Sequence, residues 1–318
     1  MNDKIISQLK KHGKACVIMH ISPDGDTLGS AIALCLALRS LGISCDAICD
    51  DNVPGKYSFV PHISEVKKSE EGIRYDTAVA VDCADMHLLG DAAKVFRAAK
   101  NRICIDHHAS NPHYAEKELF NAAASSTGEI MLGVIKKLGA SITREIAECL
   151  YTAIASDTGN FSYSNTTRET FLAAAELTSY GIDLPEIASC LFKARSYSFS
   201  MMLARALNGM RMFSGKKIAI LYLSSGDVEE LQNDFTEYEG IVEFAREIQG
   251  VEVAVFIREI GRGLYKISLR SKPCVDIRGL AEGYGGGGHR NAAGCQIKGG
   301  LEQIINKLAA QIEPLLVS

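Results

Sequence analysis

Asp106, His107 and His108 close the apolar run Ile103-Cys104-Ile105. Neighbouring side chains on a strand point to opposite faces, whereas residues just past a strand end can converge on one small volume. Two imidazoles and a carboxylate gathered in this way suit a metal, because imidazole is the commonest neutral ligand and a nearby acid fixes its tautomer. A solvated histidine pair in a turn is the bland alternative, and the triplet alone does not separate the two. Two further apolar runs end in similar chemistry. Cys16-Val17-Ile18-Met19 leads into His20, Asp24 and Asp26, and the run from Tyr75 to Val81 leads into Asp82. Asp157 follows a stretch of helical periodicity, where the helix dipole disfavours an anion. A cationic counter-charge accounts for it.

Local readings compete at Asp24-Gly25-Asp26. Asp26 can serve in part as the N-cap of the following helix. A calcium loop fails on register, since its fifth and twelfth positions are Leu28 and Cys35, neither of them a ligand.

The elements that must position these residues alternate. Strand-like runs at 16–19, 43–49, 75–81 and 103–105 are interleaved with helical patterns at 27–41 and about 91–99. Helices follow at 126–138, where Ser126 and Glu129 fit a capping box, and at about 143–155; Thr166 with Glu169 fits another. Alternation of this kind predicts an α/β fold with a parallel sheet, which gathers ligands at the carboxyl ends of its strands. Three chemically loaded endings in one sheet are hard to explain by solubility alone.

At 318 residues the chain has room for two domains, and 47% apolar residues exclude a disordered protein. No apolar stretch reaches the ~18 residues of a membrane span, and Met1 to Lys11 lacks the apolar core of a secretory signal. Ten cysteines without zinc-finger spacing read as reduced and mostly buried, which predicts a cytoplasmic protein. A net charge of −4 argues against coating long nucleic acid and leaves short anionic substrates open.

The ordered set His20-x3-Asp24-x-Asp26, Asp82, Asp106-His107-His108 and Asp157-Thr158-Gly159 resembles the DHH phosphoesterase superfamily over residues 16 to 168. That resemblance implies one metal held by His20, Asp24 and Asp82. A second is implied at Asp26, Asp82, His107 and Asp157, with Asp82 bridging. It makes Asp106 and His108 the catalytic pair, Asp106 orienting an imidazole and His108 facing the substrate. Carboxylates and imidazoles without thiolate favour hard-to-borderline ions, so two divalent ions are expected, manganese first and magnesium as the alternative. Two ions ~3.5–4 Å apart suit in-line displacement at phosphorus by an activated hydroxide. Cys83, beside Asp82, reads as a small buried thiol.

A second, smaller α+β domain is expected from strands at 217–223, 251–257 and 264–269, with helices at about 238–248, 275–282 and 301–316. Val251 to Lys298 carries eight Lys or Arg against four Asp or Glu, a net of +4 that leaves −8 on the remainder. This is either a solvated hairpin face or a basic lid for a phosphate. Four glycines followed by His289-Arg290-Asn291 let backbone N–H groups approach an anion. The segment satisfies G-x-G-x-x-G from Gly283 but lacks the βαβ context of a dinucleotide site. It resembles, with Ser268-Leu269-Arg270-Ser271, the DHH-associated C-terminal domain. That likeness assigns Arg270, Ser271, Gly286, Gly287, Gly288 and His289 to substrate binding, with Arg262 as a further candidate.

The expected organisation is a catalytic domain at 1–183, a helical linker at 184–213 and a substrate-binding domain at 214–318. The whole resembles compact bacterial oligoribonucleases that also remove the 3′-phosphate from 3′-phosphoadenosine 5′-phosphate. The expected substrates are short oligoribonucleotides or small phosphonucleotides, with no membrane and no long duplex as partner; a homodimer is compatible with the sequence. A phosphodiesterase for cyclic dinucleotides or their linear products is the alternative. Behind it stand an inorganic pyrophosphatase and a non-catalytic nucleotide-binding protein.

Overall fold

The apolar run of β1 (Lys14–Ile18) explains the layering of the first unit. Its side chains alternate between two cores: Ala15 and Val17 join one, Cys16 and Ile18 the other. A strand buried on both faces needs helices on both sides. The computed structural model describes residues 3–70, 72–193, 195–230, 238 and 240–317. It divides into two compact units, Met1–Ala194 and Arg195–Ser318.

In the first unit, α1 (Asp3–Leu9) precedes β1, followed by α2 (Gly25–Ser40), β2 (Ser44–Ile48), β3 (Thr77–Val81), α3 (Ala92–Ala98), β4 (Asn101–Asp106) and β5 (Lys117–Phe120). Then come α4 (Thr127–Leu138), α5 (Arg144–Asp157), α6 (Arg168–Thr178) and α7 (Leu184–Ala188), the last continued by a π turn at Ser189–Lys193. The sheet order is β2-β1-β3-β4-β5, parallel throughout. The chain therefore leaves β1 toward one edge for β2 and returns to its other side for β3. That reversal opens a crevice at the carboxyl ends of β1 and β3, the place where open parallel sheets bind ligands. α2, α4 and α5 cover one face, and α3 the other.

The alternation read from the sequence is borne out as a parallel α/β sheet, with local differences. β5 was not expected; it is four half-buried residues, too short for a periodic signal. The N-cap of α2 is Asp24, whose Oδ1 accepts from the amides of Asp26 and Thr27, so Asp26 is not the cap. Ser126 caps α4 through the Glu129 amide, but the Glu129 carboxylate binds Ser125 and Thr170 and does not close a capping box. The box on α6 is formed by Thr167 and Thr170, one residue beyond the expected pair.

The second unit contains α8 (Tyr197–Asn208), β6 (Arg211–Phe213), β7 (Ile218–Leu223), α9 (Ser225–Glu230), α10 (Ile241–Arg246), β8 (Val253–Gly261) and β9 (Leu264–Ser271). α11 (Arg278–Glu282), β10 (Gly287–His289), β11 (Ala292–Lys298) and α12 (Leu301–Ile312) complete it. Its mixed sheet runs β10-β11-β9-β8-β7-β6. The segment 184–213 divides between the units, since β6 pairs with β7. Residue 194 in that segment, and residue 239 in the helix expected at 238–248, lie outside the described residues. α11 and α12 cover one face of the sheet, while α8 and α10 pack on the other against Ala219, Leu221, Ala254 and Phe256.

Candidate active site

β1, β3 and β4 are neighbours, so the groups at their ends meet. His20 follows β1. Its Nδ1 lies 2.7 Å from the Ile21 carbonyl, which assigns a proton to Nδ1 and turns Nε2 toward the site. Nε2 is 3.6 Å from Asp24 Oδ1 and 3.7 Å from Asp82 Oδ2. Asp82 follows β3 with φ +55°, a left-handed conformation that costs a non-glycine residue about 1–3 kcal/mol and is typical of functional sites. Its other oxygen, Oδ1, lies 3.6 Å from His107 Nε2. One carboxylate thus faces two imidazoles from two different strands.

His107 shows that the group fits a cation. Its Nδ1 is 3.2 Å from the Ala124 carbonyl. Its Nε2 lies 3.9 Å from Asp26 Oδ2, 3.6 Å from Asp82 Oδ1 and 3.4 Å from Asp157 Oδ2. It is buried, with no hydrogen-bond partner among the described residues. A buried lone pair ringed by carboxylate oxygens is a costly arrangement that a divalent cation relieves. Potential ligand atoms cluster in three sets: His20, Asp24 and Asp82; Asp26, His107 and Asp157; and Asp82, His107 and His108. All six residues expected as ligands are brought together.

Their supports are specific. The two Asp26 oxygens accept the amides of Thr127 and Gly128, at 2.7 and 2.8 Å, at the N-terminus of α4. The helix dipole there favours the anion. The Thr127 hydroxyl also donates to Asp82 Oδ1 at 3.0 Å. Asp106 is a scaffold: Oδ1 accepts the His107 and His108 amides and lies 2.8 Å from His108 Nδ1, while Oδ2 accepts Asn111 Nδ2 at 2.6 Å. Sequence reasoning missed Thr127 and Asn111. Asn111 carried a weak signal, a polar residue five positions past an acid that needs support; Thr127 reads only as a helix start.

The electrostatics have one origin: four acids share a buried space with too few cations. Burial, reinforced by Asp82, Asp157 and Asp24, holds the Asp26 carboxyl well above its ordinary range. Burial pushes Asp157 up to about 6, opposed by His107 and aided by Asp82 and Asp24. For His20, burial opposes protonation, but Asp24 and Asp82 outweigh it and raise the imidazole to about 10. His108 is raised to about 9 against burial, chiefly by Asp106. The Cys83 thiol is pushed up to about 12 by burial and bonds the Asp85 carbonyl, a neutral core group and not a ligand.

Residues 14–154 match the DHH family, N-terminal domain, and residues 215–314 match the DHHA1 domain. The bifunctional oligoribonuclease and PAP phosphatase NrnA of Thermus thermophilus is 32% identical to this chain, over 93% of it and 88% of the relative. The chain belongs to the DHH family. This DHH-family chain is a hydrolase of the phosphoesterase class. The NrnA of Bacillus subtilis is 26% identical over 93% of each chain. The crystal structure of an exopolyphosphatase-related protein from Bacteroides fragilis superposes with a TM-score of 0.93 at 26% identity, covering 99% of this chain and 97% of that one. RecJ of Thermus thermophilus shares the fold at 15% identity and a TM-score of 0.53, over 98% of this chain and 53% of that one.

In the DHHA1 unit, strand register assembles a row. Ala254 pairs with Arg270, Arg270 with Ala292, and Ala292 with His289, so residues from four strands lie side by side on one face. His289 is exposed. The glycines divide by role. A Cβ at Gly286 would lie 2.1 Å from the Gly294 carbonyl oxygen, and one at Gly288 2.4 Å from that of Ala292. These two let β10 lie close to β11, and the Gly286 amide is already spent on the Ala281 carbonyl. Gly287 has open space around it. The structure also gives Ser271 another role: it is 2% exposed, donating to the Val275 carbonyl and accepting from Asn291. It points away from the Arg270 face because neighbours on a strand alternate. Arg262 is exposed in the hairpin turn between β8 and β9.

Among the described residues no helix is long and apolar enough to cross a membrane.

Proposed function

We propose that this DHH-family protein hydrolyses phosphoester bonds in short oligoribonucleotides and removes the 3′-phosphate of 3′-phosphoadenosine 5′-phosphate, using two divalent cations, preferably manganese. The observation that carries this reading is Asp82, whose two oxygens address two separate donor sets. The substrate class draws support from the Thermus thermophilus and Bacillus subtilis relatives, whose names record both activities.

His20, Asp24 and Asp82 would hold one cation, and Asp26, Asp82, His107 and Asp157 the other. Bound there, the cations neutralise phosphoryl oxygens and make a water nucleophilic near neutral pH. The protein's own groups supply orientation and a proton. Asp106 Oδ1 fixes His108 through Nδ1, so Nε2 of His108 is turned outward. Held in that orientation, the His108 imidazole is placed to give a proton or hydrogen bond to the leaving oxygen. In the DHHA1 unit, Arg270, His289 and Gly287 bind a phosphate that is not hydrolysed. We place the reaction in the cytoplasm, where ten unpaired cysteines suit a reducing medium.

Purified protein should be compared on dinucleotides, 3′-phosphoadenosine 5′-phosphate, cyclic dinucleotides and pyrophosphate, each with manganese and with magnesium. Turnover of the first two is expected to dominate. A preference for cyclic dinucleotides or pyrophosphate overturns the substrate assignment.

A further inference from the structure

We propose that Arg246 joins Arg270 in a two-arginine site for a phosphate dianion, the two guanidinium groups being held at a set spacing by Glu243. The proposal rests on the substrate class above and extends the site to two residues that no motif marks. Glu243 Oε1 accepts Nε of Arg270 at 2.9 Å, and Glu243 Oε2 accepts Nε of Arg246 at 2.5 Å. One carboxylate therefore binds both arginines by their inner nitrogens.

The outer edges remain. Nη1 of Arg270 donates to the Leu269 carbonyl at 2.9 Å. Among the described residues, Nη2 of Arg270 and both Nη atoms of Arg246 have no hydrogen-bond partner. All three side chains are partly exposed, Arg246 and Glu243 at 28% and Arg270 at 34%. Two guanidinium groups and one carboxylate leave the trio one positive charge in excess. Glu243 thus does two things: it cancels the repulsion between like charges, and it pre-orders two flexible side chains. Both reduce the cost of binding a planar-fork ligand such as phosphate.

Position agrees with this. α10 lies on the sheet face that presents Ala254 and Phe256, and Ala254 is the direct partner of Arg270. Arg246 ends α10 above that face, and the row continues through Ala292 to the exposed His289. Arg258, two residues past Phe256 on β8, has its guanidinium 4.1 Å from the Tyr238 ring centroid, which holds a further cation on the same strand. A purely structural ion triad has no need of open Nη edges beside a basic face. A phosphomonoester on a nucleotide, carrying close to two negative charges at neutral pH, is attracted by that surplus.

The test compares 3′-phosphoadenosine 5′-phosphate with adenosine 3′-phosphate, which has the same scissile group and lacks the second phosphate. For wild type, kcat/KM should favour the bisphosphate. Arg246→Ala should cut that preference about tenfold, with the loss in KM and not in kcat, and Arg246→Lys should restore part of it. Glu243→Gln, which keeps the shape and removes the charge, should lower the preference by several-fold because the arginines are no longer pinned. Binding of each nucleotide is measured in parallel by calorimetry in EDTA, where hydrolysis plays no part. A folded Arg246→Ala protein that keeps the wild-type preference in both KM and binding overturns the proposal. Absent turnover by wild type with intact, Arg246-dependent binding would instead overturn the catalytic reading and leave the anion site standing.

Discussion

Thr127 Oγ1 lies 3.0 Å from Asp82 Oδ1, the carboxylate oxygen that faces His107. The same residue gives its amide to Asp26 at 2.7 Å. A fully buried threonine therefore ties two acids that are 56 positions apart in the chain into one arrangement. Its methyl and hydroxyl groups are not interchangeable here. Thr127→Val keeps the volume and the amide bond but loses the hydroxyl donor. Metal affinity is expected to fall roughly 10–100-fold, as for other groups that orient ligands, while Thr127→Ser stays close to wild type. Manganese titration followed by electron paramagnetic resonance reads this directly; equal affinity in Thr127→Val and wild type refutes it.

Asp82→Ala removes the one carboxylate shared by both donor sets. Activity should be abolished and bound metal, measured by mass spectrometry after dialysis, should drop. Asp106→Ala is expected to differ. Asp106 lies outside the ligand sets and holds His108, so the loss should fall mainly on turnover, with metal content largely kept. Normal turnover in Asp82→Ala removes the basis for the two-cation reading.

Metal loading should depend on pH through the acids that resist ionisation. Asp157, raised from an ordinary value near 3.9 to about 6, binds its proton more tightly in the folded, metal-free protein. Its stabilising contribution is complete below about pH 4 and is lost as pH rises through about 6. Asp26 is shifted in the same sense. The imidazoles of His20 and His108, raised to about 10 and about 9, lose their contribution from about pH 6.5 upward. Asp24 and Asp106, held low by His20 and His108 despite burial, act oppositely, and only toward acid pH. Cations must displace the Asp157 proton at pH 5.5 but not at pH 7.5. The rise in melting temperature on adding manganese is therefore expected to be larger at pH 7.5, by a few degrees for ~1–2 kcal/mol of linkage. Thermal scans in EDTA and in manganese at both pH values test it; a larger rise at pH 5.5 contradicts it.

His289→Ala should weaken nucleotide binding by about tenfold while leaving manganese binding intact, since His289 is exposed in the DHHA1 unit and belongs to none of the three ligand clusters. Calorimetric titration with nucleotide and with manganese separates the two effects. Equal loss of both would place His289 at the metals.

Much of the site was legible in the sequence because its parts are local. A buried parallel strand is a continuous apolar run, and the residues just beyond its end are plain to see, so His20, Asp82 and the Asp106-His107-His108 triplet declared themselves. The starts of α3, α4, α5 and α12 were legible to within a residue, whereas α2 begins two residues before the expected position and α10 and α11 three residues after it. Cap identity was not legible, because Asp24 and Asp26, or Thr166 and Thr167, offer similar oxygens, and backbone dihedrals choose between them. The second unit was read less well. Ser271 resembles its neighbour Arg270 in position, but strand alternation buries it, and the glycine run serves strand packing as much as anion approach.

The sequence by itself determined the chemistry available: which acids and imidazoles end which strands, and which stretch is rich in arginine and glycine. Only the tertiary structure decided their partnerships. That Asp82 turns one oxygen to each of two imidazoles, that Thr127 joins Asp26 to Asp82, and that Glu243 on α10 reaches Arg270 on β9 depends on sheet order and helix packing. Such contacts arise between residues tens of positions apart, and periodicity, which reports only on near neighbours along the chain, has no access to them.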